Sequence, residues 1–454
     1  MRYRFRLIGS RRAHPGFTSI SANSSERSTV MKFKTASLAI LSATILYGQP
    51  NLSGVSISQN AATRVVTIKY TLDVPAIVTL DILTNNVSIG ADNFRTLVDA
   101  TTDSKEWPLN RVVAAGEHKL VWNPCREWPE HTFADGAFSI DLRAYSLTQP
   151  PDYMVLDLTA EHTATRNMRW FYARVEDLPD GGVKTADPMD ADAVKELTND
   201  VYRTTRLVMR KIPAAGNKWR MGSPATESNR SDNETAHYVT FTEDYYLAIY
   251  ETTEAQESQM SNAPGKSTIP SYFKKYTDWR GSATGTSYCW PTNGHDISSS
   301  SIIQNFRNRT GLLSLDLPTE AQWEYACRAG TSGPYYNGAS TPDAIAWTIN
   351  NSSKSRRAVG LKAPNCWGMY DMLGNVCEWV LDQYAAYGSD PVENPIGPKD
   401  NPGTRIVRGG SVWMGNGAAR AAFRRSRSAS ANSDDGYGGG FGCRLCCPAV
   451  IPVD

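Results

Sequence analysis

The chain has 454 residues, 41% apolar and 20% charged, with 47 Lys plus Arg against 46 Asp plus Glu. It is long enough for more than one domain and has an ordinary globular composition. The even charge balance excludes a global nucleic-acid or acidic-polymer binder, which carries a basic excess. Residues 1–30 are rich in Arg and Ser and show no apolar period, so they read as a leader or a mis-called start. Residues 31–49 then read as a signal peptide: two lysines, an apolar run over 36–46, then Gly48 and Pro50. The run is too short to span a bilayer, and charges and turn formers bracket it, which argues against a buried helix. No other segment reaches spanning length. The expectation is an exported protein, secreted or periplasmic, with no transmembrane segment.

Residues 50–160 carry short runs of alternating apolar and polar residues. These are RVVTIKYTL (64–72), AIVTLDIL (76–83), HKLVWNP (118–124), FSIDLRAY (138–145) and MVLDL (154–158), separated by Pro, Gly, Asn and Asp. Side chains on a strand alternate between faces, so this pattern predicts an all-β, Ig-like sandwich with Trp122 in its core. No catalytic constellation lies within it, and a spacer or docking role follows. Residues 161–205 are polar, and DLPDGGVKTADPMDAD (177–192) has a linker's composition.

From residue 206 glycine, tryptophan and irregular loops increase. Two helix starts stand out. Thr253 is followed three residues later by Gln256, and Thr319 by Gln322. Both match the capping box, in which the two side chains satisfy free backbone N–H groups at a helix start. Gly330 is a natural stop. Long loops stay ordered only if disulfides, buried aromatics or bound ions pin them. The eight cysteines (125, 289, 327, 366, 377, 443, 446 and 447) contain no zinc-type pair of CxxC motifs. CRLCC (443–447) suggests one or two structural disulfides near the C-terminus, with the pairing open.

The stretch YDMLGNVCEW (370–379) places two acids and a turn inside apolar sequence. A hard cation such as calcium takes six to eight oxygens. The carboxylates of Asp371 and Glu378 and the carbonyls of Gly374 and Val376 would supply several in one bend. On spacing alone a plainer use stays open: Asp371 caps a turn and Glu378 pairs with an arginine.

Several motifs recur in a familiar order: IPAAGNKWRMGS (212–223), YYLAIYETTEAQ (245–256), PTEAQWEYACRAG, PNCWGMYDMLGNVCEWVLDQY, RIVRGGSVW and GFGCRL. Together they resemble the formylglycine-generating enzyme, or sulfatase-modifying factor, family over residues 206–448. The resemblance implies an α+β chain: a loop-rich, C-type-lectin-like domain behind the β-sandwich. It implies a structural calcium ion at Asp371, Gly374, Val376 and Glu378. It also implies copper(I) between two cysteine thiolates just after the GGS motif, since soft Cu(I) prefers soft sulfur. Here Ser411 matches the family's serine, but Met414 and Ala419 occupy the two cysteine positions. Met414 offers a thioether and Ala419 nothing, so copper is not expected. Iron is no better served, because His237 and His295 of this region form no HxxxH or HExxH pattern.

Two functions follow. One is a binding or accessory member whose ligand is a peptide, protein or glycan. The alternative is an active oxidase converting a peptide cysteine to formylglycine. Pocket candidates are Ser411, Trp413, Met414, Asn416 and Arg427, the last matching a family arginine. Trp413 would be a flat contact, Asn416 an amide donor and the arginines anion forks. The plainer alternatives are a core tryptophan, a turn asparagine between Gly415 and Gly417, and arginines solvated or paired inside the domain. The span 411–442 also resembles the variable ligand surface of retroelement-diversified receptors on this fold. The glycine-rich 434–443 is a loop without a phosphate-cradle pattern.

Overall fold

The computed structural model describes residues 48–451, apart from 103–106, 128–137, 164–166, 180–182, 185–195, 198, 262–264, 282–296, 399–402 and 433–439. The leader, the apolar run 36–46, Cys289, His295 and most of 434–443 lie outside the described residues.

The N-terminal strands form two antiparallel sheets. One runs in the order Leu52–Gln59, Val66–Leu72, Gly116–Trp122, Val98–Asp99. In the other, Ala76–Thr84 pairs with Val87–Ser88, Arg111–Val113 and Phe138–Tyr145. Alternation fills the space between them. Val66, Ile68, Tyr70, Leu72, Leu120 and Trp122 from the first sheet meet Val78, Leu80 and Ile82 from the second. Each fully buried Val, Leu or Ile contributes about 1.5–3 kcal/mol.

The run at 154–158 does not join these sheets. The strand Tyr153–Asp157 pairs with Arg206–Ile212 across the expected linker, in a five-stranded antiparallel sheet. The order is Arg169–Tyr172, Tyr153–Asp157, Arg206–Ile212, Tyr245–Ala248, Cys446–Pro448. Parts of 161–205 are accordingly packed: Leu178, Leu197 and Tyr202 are buried in the same core as Tyr250. Composition marked this stretch as linker because its packed residues are sparse and spread among Asp, Gly and Pro.

The five-stranded sheet is buried on both faces. Val155, Val208, Leu247 and Cys446 face one core, and Met154, Leu207, Met209, Tyr246 and Cys447 face the other. This alternation also removes the expected C-terminal disulfide. Cys446 and Cys447 are neighbours on one strand and point to opposite faces, and both are buried thiols, as is Cys443. A second sheet runs Arg424–Ser428, Thr404–Arg408, Cys377–Gln383, Phe441–Gly442, with only the last pair parallel.

Both capping boxes form. Thr253 caps Glu254–Ser258 and Thr319 caps Glu320–Arg328, each with its hydroxyl accepting from the glutamine N–H three residues on. The second helix is buried on every side and ends with Ala329 and Gly330 at positive φ. No helix among the described residues is long and apolar enough to cross a membrane.

Candidate functional site

The bend at 371–378 leads directly into the strand Cys377–Gln383. Asp371, Gly374 and Asn375 have φ of 51°, 85° and 52°. Gly374 has to be glycine, because a Cβ there would collide with the Trp347 backbone. Glu251 latches the turn: its two carboxylate oxygens accept from Val376 N at 3.0 Å and Asn375 Nδ2 at 2.7 Å. Asn375 Oδ1 accepts from Arg357 N at 3.0 Å.

Glu378 does pair with an arginine. Arg444 donates to Glu378 Oε1 from Nη2 at 2.6 Å and to Oε2 from Nε at 2.8 Å, and Trp323 Nε1 adds a bond to Oε2 at 2.7 Å. Asp371 Oδ2 accepts from Gly360 N at 2.6 Å, while Asp371 Oδ1 is buried with no hydrogen-bond partner. Burial raises the Asp371 carboxyl to about 6, opposed by the Gly360 N–H and by Arg444. Burial also pushes Glu251 well above the usual carboxylate range, with Asp371 and Glu378 adding to it. Three buried acids thus surround one bidentate guanidinium, and one buried oxygen lacks a partner. No three His, Cys, Asp or Glu side chains among the described residues converge as a metal site. A cation here would need the backbone carbonyls of Gly374 and Val376 beside the carboxylates of Asp371 and Glu378, as the bend motif itself expects.

The second locus is a cleft of about 590 Å³ lined by Ser231, Asn233, Tyr384, Met414, Arg424 and Arg425, among others. Of the five pocket candidates only Met414 lines it. Trp413 lies flat against Tyr272, ring centroids 6.1 Å apart and planes 7° apart, and the Arg356 guanidinium caps that Tyr272 ring at 3.2 Å. Asn416 is a turn residue: its Oδ1 accepts from Thr348 Oγ1 at 2.9 Å and its carbonyl from Tyr335 Oη at 3.2 Å. Ser411 is buried and its carbonyl accepts from Met414 N. Arg427 Nη1 donates to the Ser426 carbonyl at 2.8 Å. The plainer reading also holds for two other arginines. Arg420 pairs with Glu234 and Glu227, and Arg424 pairs with Glu320. Ala419 is buried, 1% exposed.

The sulfatase-modifying factor enzyme 1-like domain matches residues 211–443, half of the chain. This chain belongs to that family. The chain is 31% identical over 144 residues to a formylglycine-generating enzyme of Streptomyces coelicolor, covering 28% of this chain and 45% of that one. It is 28% identical over 149 residues to the bovine inactive C-alpha-formylglycine-generating enzyme 2, covering 30% and 45%. Either match thus spans less than half of the relative's length. The solved structure of Treponema denticola variable protein 1 aligns with 59% of this chain and 99% of its own, at 19% identity and a TM-score of 0.41.

Three residues of the bend's surroundings escaped the sequence reading: Glu251, Trp323 and Arg444. Glu251 and Arg444 carried a signal, since each is a lone charge flanked by apolar or small residues, in AIYETT and FGCRLCC. Cys377, 3.7 Å from Met414 at its Sγ, carried none.

Proposed function

We propose that the protein is an exported, ligand-binding or accessory member of the sulfatase-modifying factor family. The cleft beside Met414 is the binding site, and its ligand is a peptide, protein or glycan. One observation carries this reading: the two positions where the family resemblance puts copper thiolates hold Met414 and the buried methyl of Ala419. A thioether and a methyl cannot make the two-thiolate centre on which oxidation of a substrate cysteine depends. The test uses full-length protein incubated with Cu(I), oxygen and a sulfatase-type cysteine peptide. The expected result is peptide recovered without aldehyde by mass spectrometry. Aldehyde formed in proportion to enzyme would overturn the reading and establish the oxidase.

The same reading includes a structural calcium ion at Asp371, Gly374, Val376 and Glu378. The partnerless, buried Asp371 Oδ1 supports it, and a carboxylate has lone pairs enough for Glu378 to serve both Arg444 and a cation. An ion that binds only the folded state raises the melting temperature. Added calcium should therefore stabilise the wild type, and Asp371→Asn should abolish the gain. A wild type indifferent to both calcium and a chelator removes calcium from the reading. The N-terminal sheets are proposed to be an Ig-like spacer or docking module.

A further inference from the structure

A pocket of about 230 Å³ lies where the five-stranded sheet meets the N-terminal region. One face of the sheet supplies most of it. Trp170 and Tyr172 are two apart on the edge strand Arg169–Tyr172, and Val155 and Asp157 are two apart on its neighbour, with Trp170 opposite Val155. Residues two apart on a strand share a face, and all four line the pocket. Trp107 and Asn110 join them from the N-terminal region. The backbone there is fixed. Asn110, at φ 59°, donates its N–H to the Val78 carbonyl at 2.7 Å and accepts at its own carbonyl from Phe171 N at 2.7 Å. Trp107 packs on Phe94, ring centroids 6.0 Å apart. Two polar groups are left over. Asp157 Oδ1 accepts from Thr159 N at 2.8 Å and Oγ1 at 2.6 Å, which leaves Oδ2 without a hydrogen-bond partner among the described residues. The Asn110 side-chain amide likewise has none among them.

We propose that this pocket binds one sugar ring of a glycan. Trp107, Trp170 and Tyr172 offer flat apolar surfaces, and a pyranose ring presents a face of C–H groups that packs on such a surface. The ring's hydroxyls both donate and accept. They match a carboxylate, which only accepts, and an amide, which does both. Other ligand classes fit less well. A hydrocarbon would bury Asp157 and Asn110 with nothing to bond, which is costly. A cation drawn to the aromatic faces would meet Arg95 and Arg206, which also border the pocket. The volume falls below the roughly 300–1,000 Å³ of a site for a drug-sized ligand. One ring fills it, and the rest of the glycan stays outside.

The inference goes beyond the binding reading, because the pocket shares no lining residue with the cleft beside Met414. The test applies full-length protein to an array of immobilised neutral and uronate oligosaccharides, and then titrates a retained oligosaccharide by calorimetry. At least one should be held. Trp107→Ala and Trp170→Ala should each weaken binding by about 10-fold or more, since each removes a stacking face. Asp157→Asn should also weaken it by about 10-fold, because a charged acceptor bonds more strongly than a neutral one. Asp157→Asn keeps the size of the side chain, so it decides the matter if a tryptophan variant fails to fold. An array on which no oligosaccharide is held overturns the site. Binding that is unchanged in both Trp107→Ala and Asp157→Asn overturns it too, and leaves the cleft reading standing. Aldehyde formation would defeat the cleft reading without touching this pocket, so the two proposals fail separately.

Discussion

The N-terminal sheets bury hydrocarbon, whereas the region after residue 206 buries ions. In the described part of 52–145, Asp99 and His118 are the buried charged or titratable pair, 2.9 Å apart, inside an otherwise apolar core. After residue 206, Arg280–Asp316, Glu324–Arg328–Arg408, Arg424–Glu320, Arg420–Glu234 and Arg444–Glu378 are all buried. The difference follows from how each region satisfies its backbone. Long strands pair their own N–H and C=O groups. Loops do not, and here arginine supplies the missing donors from its five N–H groups. Arg444 bonds the carbonyls of Ala248, Ile249 and Tyr370 as well as Glu378. Arg424 bonds those of Asn233 and Ala385, and Arg328 those of Gly222 and Gly333. Buried ion pairs are weak evidence for net stability, but removing one partner leaves an uncompensated charge.

The largest effect should come from Arg444→Met, which strips Glu378 of its partner and orphans several carbonyls. A loss of about 3–5 kcal/mol in urea unfolding is expected, and adding Glu378→Gln should recover part of it. A cost below about 1 kcal/mol would mean that the arginine is not what holds these loops. The matching change among the N-terminal sheets is Leu120→Ala, expected to cost about 2–4 kcal/mol through its cavity. Its cost should be nearly the same at pH 5 and pH 9, because the atoms removed are hydrocarbon; a strong pH dependence would erase the contrast between the two regions.

Next in size is a titration effect. Asp382 is buried, and burial, then Glu320, raise its carboxyl to about 8. The folded state therefore holds a proton that the unfolded chain releases near pH 4. The stability this contributes is complete below that value and is lost as pH rises through about 8. Asp382→Asn should flatten the decline, and by pH 9 the variant should exceed the wild type by on the order of 2 kcal/mol. Parallel curves for the two proteins would show that Asp382 ionises freely. The smallest effect is local. Thr319→Ala removes a helix cap and should cost about 1 kcal/mol; a change near zero would mean that packing alone holds Glu320–Arg328.

Local chemistry wrote much of this molecule into its sequence. The capping boxes at Thr253 and Thr319, the end of the buried helix at Ala329–Gly330, the alternating strands of the N-terminal sheets and the turn at Gly374–Asn375 each depend on residues a few positions apart. Such signals survive in a linear reading because the interacting groups are sequence neighbours. Tertiary structure decided the rest. It took 153–157 into the sheet of Arg206–Ile212, because an alternating strand does not name its partner. It brought Arg444 to Glu378 across 66 residues and Cys377 to Met414 across 37. It sent Cys446 and Cys447 into different cores. Contacts of that kind form where separately specified elements happen to face each other, so the chemistry of the bend exists only once the sheets have packed.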